Sequence, residues 1–187
     1  MNNHKGKLVV ISAPSGTGKG TVIGELLKSC PEFVFSVSAT TRTPRPGEKD
    51  GVEYFFLTHE RFHDMVSNDG FLEYAEYVGE FYGTPVKPID EFLDSGKIVI
   101  LDIEVQGAKQ VIIKKPDAIT IFIVPPNMKE LEKRLRGRGT DSEEKLAARL
   151  KRASQELEEK SHYNHVIVND NVSRAVNEII KIVDRKE

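Results

Sequence analysis

Cysteine, net charge and long apolar runs are all scarce in this chain of 187 residues. Its only cysteine, Cys30, excludes an intramolecular disulfide and fits a reducing compartment. A formal charge of −2 leaves no global field to attract nucleic acid or an anionic membrane. Any phosphate the chain binds must therefore meet locally placed cations. The N-terminus, Met1–Lys7, is short and polar, and the apolar run after it, Leu8–Ile11, is far too short for a signal-peptide core or a membrane span. A cytoplasmic location is the expectation. Internal repeats and low-complexity tracts are missing as well. What is present, 39% hydrophobic and 30% charged residues, suffices for one good-sized core with small appendages.

Short continuous apolar runs mark strands buried on both faces. They are Leu8–Ile11, Ile98–Leu101, Ile119–Val124 and the shorter Val166–Val168. The patterns that follow them predict helices over Thr21–Ser29, Val105–Lys114, Met128–Arg136 and Val172–Asp184. Such strand–helix alternation predicts an α/β fold with a central parallel sheet and helices on both faces. The stretch from about 33 to 95 breaks the rhythm. It holds four of the nine prolines (Pro44, Pro46, Pro85, Pro88), strand-like pieces at Glu53–Leu57 and Phe71–Val78, a turn at Lys49-Asp50-Gly51 and a short helix after Thr58. It reads as an α+β insertion with its own binding surface. A second break, Arg134–Arg152, carries the glycine-hinged, basic run Arg136-Gly137-Arg138-Gly139. It reads as a lid, with Thr140 and Glu143 forming a capping box for its second helix.

The segment Ala13-Pro14-Ser15-Gly16-Thr17-Gly18-Lys19-Gly20-Thr21 lies between a predicted strand and a predicted helix. That is the context the phosphate loop G-x-x-x-x-G-K-[ST] requires. Gly16 and Gly18 let successive N–H groups face one anion, the helix start adds partial positive charge, and Lys19 reaches the outer phosphates. A glycine-rich turn with a solvent-facing lysine is the plainer alternative. Strand before, helix after and three glycines around one lysine argue against it. Two residues depart from the pattern: Ala13 replaces the first glycine, and Gly20 replaces the hydroxyl residue that contacts Mg²⁺. Thr21 takes over that contact, or the metal is held mostly through water.

In the insertion, Ser38–Gly47 places Arg42 and Arg45 among hydroxyls on a proline-stiffened segment. An arginine fork holds phosphate with two bonds, and Tyr54 and Tyr82 can donate to the same anion. Here the chain closely resembles guanylate kinase over nearly its whole length. The resemblance is carried by Ser12–Thr21, Phe35–Arg45, Gly51–Tyr54, Phe71–Ala75, Tyr82–Thr84, Leu101–Gly107, Arg134–Ser142 and Val166–Asp170. It implies the P-loop NTPase three-layer fold as one domain: a core (about 1–32, 96–125 and 155–187), a GMP-binding insertion (about 33–95) and a small helical lid (about 126–154).

The same resemblance implies site residues. Ser38, Arg42, Arg45, Tyr54 and Tyr82 match positions that hold the GMP phosphate. Glu73, Thr84 and Glu104 match those that read guanine, whose N1 and N2 donors suit a carboxylate. Arg134, Arg138 and Arg149 match lid arginines that act with Lys19 and Arg42 on the transferred group, and Asn169 matches the region near adenine. Asp102, ending a buried strand, is placed to hold Mg²⁺ through water, or alternatively to cap the next helix. The implied reaction moves the γ-phosphoryl of ATP to GMP, and to dGMP, in purine nucleotide metabolism. It implies closure of the insertion on GMP and of the basic segment on ATP. The Gly-Lys-Gly-Thr ending also resembles adenylate kinase, but Glu73 and Glu104 favour guanine over AMP. Guanylate-kinase-like domains also serve as protein-binding modules; Lys19 and the lid arginines argue against that role.

Overall fold

The computed structural model describes residues 6–137 and 142–184. The predicted alternation is present: β1 (Lys7–Ser12), α1 (Lys19–Ser29), β7 (Ile98–Asp102), α4 (Val105–Lys114), β8 (Ile119–Val124), α5 (Met128–Arg136), β9 (His165–Val168) and α7 (Val172–Val183). With β2 (Phe33–Phe35), the strands form a five-stranded sheet in the order β2-β7-β1-β8-β9. Every pairing in it is parallel.

Alternation at period two explains why the runs of β1, β7 and β8 are apolar throughout. The edge strand β9, expected to be buried on both faces, keeps Ile167 in the core and leaves Val166 and Val168 exposed. Val9, Ile11, Ile100, Ile121 and Ile123 face α1 and α7, packing on Val22, Leu26, Ala175, Val176, Ile179 and Val183. Leu8, Val10, Val99, Leu101 and Phe122 face the other way, onto Ala108 and Val111 of α4. The result is three layers. Each fully buried aliphatic side chain contributes about 1.5–3 kcal/mol, so the central strands dominate stability.

The insertion builds a second, four-stranded sheet in the order β4-β3-β6-β5, from β3 (Ala39–Thr40), β4 (Phe55–Phe56), β5 (Phe71–Tyr77) and β6 (Glu80–Pro85). Helix α2 (His59–Ser67) covers one face, Phe62 packing on Ala39 and Phe71. The Thr58 side chain caps it by accepting from the Arg61 N–H.

Three expectations need correction. Phe33–Phe35, expected to open the insertion, pairs with β7 in the large sheet. A helix not foreseen, α3 (Val86–Asp94), packs Ile89 and Leu93 into the core. Pro88 is tolerated there because the first helical turn has no carbonyl partner for its missing N–H. In the basic segment, α6 (Glu143–Glu158) is capped by Ser142, which accepts from the Lys145 N–H; Thr140 of the expected capping box lies outside the described residues. Leu131 and Leu135 of α5 pack on Leu146 and Ala153 of α6, closing the pair on itself. Among the described residues, no helix is long and apolar enough to cross a membrane.

Candidate active site

The phosphate loop joins β1 to α1. Gly16 (φ 88°) and Gly18 (φ 93°) both lie in the left-handed region that favours glycine. Space demands glycine there too: a Cβ at Gly16 would stand 2.6 Å from the Leu135 side chain, and one at Gly18 2.7 Å from Asn169 Nδ2. Helices α2, α5, α6 and α7 each begin with a side chain that accepts from the first turn. Helices α1, α3 and α4 have no such side-chain cap, and α1 begins on Gly18, which leaves its first-turn N–H groups and partial positive charge available to an anion.

The loop is braced from behind. Thr17 is fully buried; its N–H (3.2 Å) and its hydroxyl (2.7 Å) both donate to the Pro14 carbonyl. The Thr17 carbonyl accepts from Asn169 Nδ2 (2.8 Å) and from the Arg134 guanidinium (3.1 Å), which also donates to the Asn169 carbonyl (3.0 Å). Peptides here are trans, so pinning the Thr17 carbonyl backwards directs the Gly18 N–H forwards. Sequence matching set Thr17 and Asn169 beside the nucleotide; both side chains are spent inside the loop's own scaffold. Ser15, exposed at the crest, accepts from Arg149 of α6 at 2.6 Å. Thr21 and Gly20 lie on the exposed side of α1, and a Cβ at Gly20 would meet nothing within 4 Å. Ala13 and Pro14 pack inward.

Lys19 is held at the end of β7. Its ammonium is 2.5 Å from Asp102 and donates to the Ile103 carbonyl at 3.3 Å. Ser12 donates to the same carbonyl at 2.9 Å. Sequence reasoning found both Lys19 and Asp102 but not their pairing, which follows from the register that sets Ile11 beside Asp102.

Period two also organises the small sheet. Phe56, Thr40, Tyr82 and Ala75 lie side by side across four strands, and Glu73 and Thr84 pair further along. This face turns away from α2. On it, the Arg42 guanidinium lies over the rings of Tyr54 (5.5 Å) and Phe56 (5.8 Å). Tyr54 meets Tyr82 edge-on at 6.0 Å. Arg42 also donates to the Thr43 carbonyl (2.7 Å) and pairs with Glu48 (2.9 Å), a residue the sequence did not single out. The Arg42 side chain, first among the causes, and the Arg45 N–H hold the Glu48 carboxyl below the usual range. Burial keeps the Tyr54 phenol raised and so protonated as a donor. Ser38 sits at the head of β3, its carbonyl accepting from the Phe55 N–H. Arg45 follows Arg42 on the exposed turn.

At the other end of this face Thr84 donates to Glu73 at 2.5 Å, with both residues buried. Burial raises the Glu73 carboxyl above its ordinary range; the Thr84 bond and Lys114 pull the other way. Glu104 does not join this pair. It starts α4 with its carboxylate exposed and bonded to Arg152 of α6 at 2.7 Å. Arg138 lies outside the described residues.

Comparison with known proteins agrees with this geometry. Residues 5–186 match the family model described as guanylate kinase. The chain is 49% identical over 178 residues to the guanylate kinase of Trichodesmium erythraeum (strain IMS101), covering 95% of this chain and 96% of that one. It is 51% identical over 183 residues to that of Streptococcus thermophilus (strain CNRZ 1066), covering 97% and 88%. The crystal structure of guanylate kinase from Anaplasma phagocytophilum superposes with a TM-score of 0.75 at 36% identity, covering 98% of this chain and 87% of that one. On a family model matched over residues 5–186 and relatives about half identical along nearly the whole chain, the chain belongs to the guanylate kinase family.

Proposed function

We propose that this chain transfers the γ-phosphoryl group of ATP to GMP, giving ADP and GDP, as its family does. The observation that carries the reading is the short stretch from Asp102 to Gly107, which touches both halves of the site. Asp102 pairs with Lys19 of the phosphate loop, and Gly107 abuts Glu73 of the small sheet. Two anionic substrates would meet across it.

The GMP phosphate has a second pKa near about 6, so its attacking oxygen is ionised at neutral pH and needs no general base. The protein's task is to neutralise two repelling anions and hold them in line. Lys19 and the loop residues Ala13–Thr21 take the ATP phosphates. Ser38, Arg42, Arg45, Tyr54 and Tyr82 take the GMP phosphate, while Glu73 accepts from guanine N1 and N2 beside Thr84. Glu104 reaches the base once Arg152 releases it. Arg138 and Arg149 close over the transferred group; Arg134 joins them by giving up its bonds to the Thr17 and Asn169 carbonyls, and Asn169 supports the adenine side of the loop. Each contact is to base or phosphate, so dGMP is accepted too.

Asp102 and Thr21 are the residues that would hold a Mg²⁺ brought with ATP, and the ion would supply further neutralisation of the ATP phosphates. Asp102 and Thr21, acting through water, fit an ion that keeps most of its own waters. The insertion closes on GMP, and α5 with α6 on ATP, excluding water. Chromatography of nucleotides after incubation with ATP, Mg²⁺ and GMP tests the reading: ADP and GDP should appear in equal amounts. ADP without GDP would overturn it.

A further inference from the structure

Strand β5 is an edge strand, flanked by β6 on one side only. Its open backbone is met by a helix rather than by another strand. Gln110 of α4 donates to the Tyr74 carbonyl (2.9 Å) and accepts from the Tyr74 N–H (3.2 Å), so one side-chain amide replaces a residue of a neighbouring ladder. Lys114 donates to the Phe71 carbonyl at 2.8 Å. These anchors bracket Glu73 in the chain. Gly107, Gln110 and Lys114 are spaced so that they share one stripe of the helix.

The remaining member of the stripe has no side chain. A Cβ on Gly107 would stand 2.5 Å from Glu73 Oε2 and 3.0 Å from its Cδ. The Glu73 carboxyl is thus set between the Thr84 hydroxyl on Oε1 and bare helix backbone at Oε2. Position 107 carries no positive φ, so glycine is needed for space and not for conformation. Alanine would otherwise be the better helix residue. The atom it would strike is the free end of a side chain, so the carboxylate, not the helix, would move.

We infer that the Gly107–Gln110–Lys114 stripe of α4 is a positioning element that sets the base-reading carboxylate of Glu73, and so the preference for guanine. This rests on GMP being the acceptor. In Gly107→Ala the fold should persist, with an undiminished melting temperature, while the carboxylate is displaced. The informative acceptor is inosine monophosphate, which lacks the exocyclic amine that a well-placed carboxylate accepts from. Expected in Gly107→Ala are a rise of about tenfold or more in KM for GMP, a clearly smaller rise for inosine monophosphate, which keeps the N1–H but lacks the amine, and an unchanged KM for ATP.

Gln110→Leu leaves Gly107 intact. It should speed amide exchange at Tyr74 and lower the preference for GMP over inosine monophosphate about threefold. An unmodified protein that fails to phosphorylate GMP overturns the proposed function and this inference together. An unmodified protein that prefers GMP, beside a Gly107→Ala variant with the same preference, overturns the inference alone. If Gly107→Ala does not fold, an unchanged preference in Gln110→Leu does the same.

Discussion

The Lys19 ammonium and the Asp102 carboxylate stand 2.5 Å apart, so the cation meant for a phosphate is already held by an internal acid. Under the proposed function, nucleotide binding would exchange one anion for another, and that exchange would free Asp102 to face the metal. The pair is partly exposed, so its net worth is about 0–1 kcal/mol. Asp102→Asn should therefore tighten metal-free ATP binding about two- to fivefold while lowering Mg²⁺-dependent turnover about a hundredfold. Titration with a fluorescent ATP analogue, with and without chelator, reads both. Weaker metal-free binding would contradict the exchange.

Arg42 is oriented by Glu48, by the Thr43 carbonyl and by two aromatic rings. Lysine cannot reproduce either the fork or the stacking. Arg42→Lys should raise KM for GMP about 10–100-fold with KM for ATP unchanged. Glu48→Gln, which loosens the fork without removing it, should raise KM for GMP about 3–10-fold. A tighter GMP complex in Glu48→Gln would show that Glu48 competes with the phosphate rather than orients its partner.

In the proposed site Glu73 would couple specificity to stability. Its carboxyl pKa is raised in the fold, chiefly by burial, so between the unfolded and folded values the native state binds more protons than the unfolded one. Stability from this group is present below the unfolded pKa and is lost as pH rises through the folded pKa. Above the unfolded value the raised pKa is a cost to the fold. Glu73→Gln keeps an acceptor for Thr84 and removes that cost. It should raise the melting temperature at pH 7.5 by about 2–4 °C, equivalent to about 1 kcal/mol, while lowering kcat/KM for GMP at least a hundredfold. Differential scanning fluorimetry from pH 4 to 8 checks the sign: the gain over wild type should shrink towards acid. A gain that grows towards acid would contradict it.

Asn169 is buried behind the loop and donates to the Thr17 carbonyl. Asn169→Ala removes that donor and should cost about 1–2 kcal/mol, or about 3–6 °C in melting temperature. With the Gly18 N–H less firmly directed, ATP affinity should fall about tenfold and GMP affinity should not change. Calorimetric titration of each nucleotide decides it. Unchanged ATP affinity would reduce Asn169 to a packing role.

The legible parts of this molecule were those with a period. The apolar runs at Leu8, Ile98 and Ile119 read as buried strands because each is packed on both faces, and the structure bears them out. Val166–Val168 is a strand as expected, but at the sheet edge, with Ile167 buried and Val166 and Val168 exposed. Helices α4 and α5 were placed at both ends. Helix α3 escaped notice because Pro85 and Pro88 read as breakers, although both fall where a helix start needs no donor. Strand β2 escaped because Phe33–Phe35 is too short to show alternation, and only its pairing with β7 identifies it. In the site, residue types were legible but partnerships were not. Glu48 on Arg42, Asp102 on Lys19, Arg152 on Glu104 and Gly107 beneath Glu73 join residues whose spacing carries no local signal.

The central claim is that the loop around Lys19 serves a pocket that reads guanine. Its most direct test is ATP-dependent ADP release with GMP, AMP, CMP and UMP as acceptors, run on the unmodified protein beside Lys19→Ala. The account predicts turnover with GMP at least a hundredfold above the other three. It also predicts a loss of about a thousandfold or more in Lys19→Ala, with the melting temperature within a few degrees of wild type. Fastest turnover with AMP, or near-normal activity in Lys19→Ala, would contradict it.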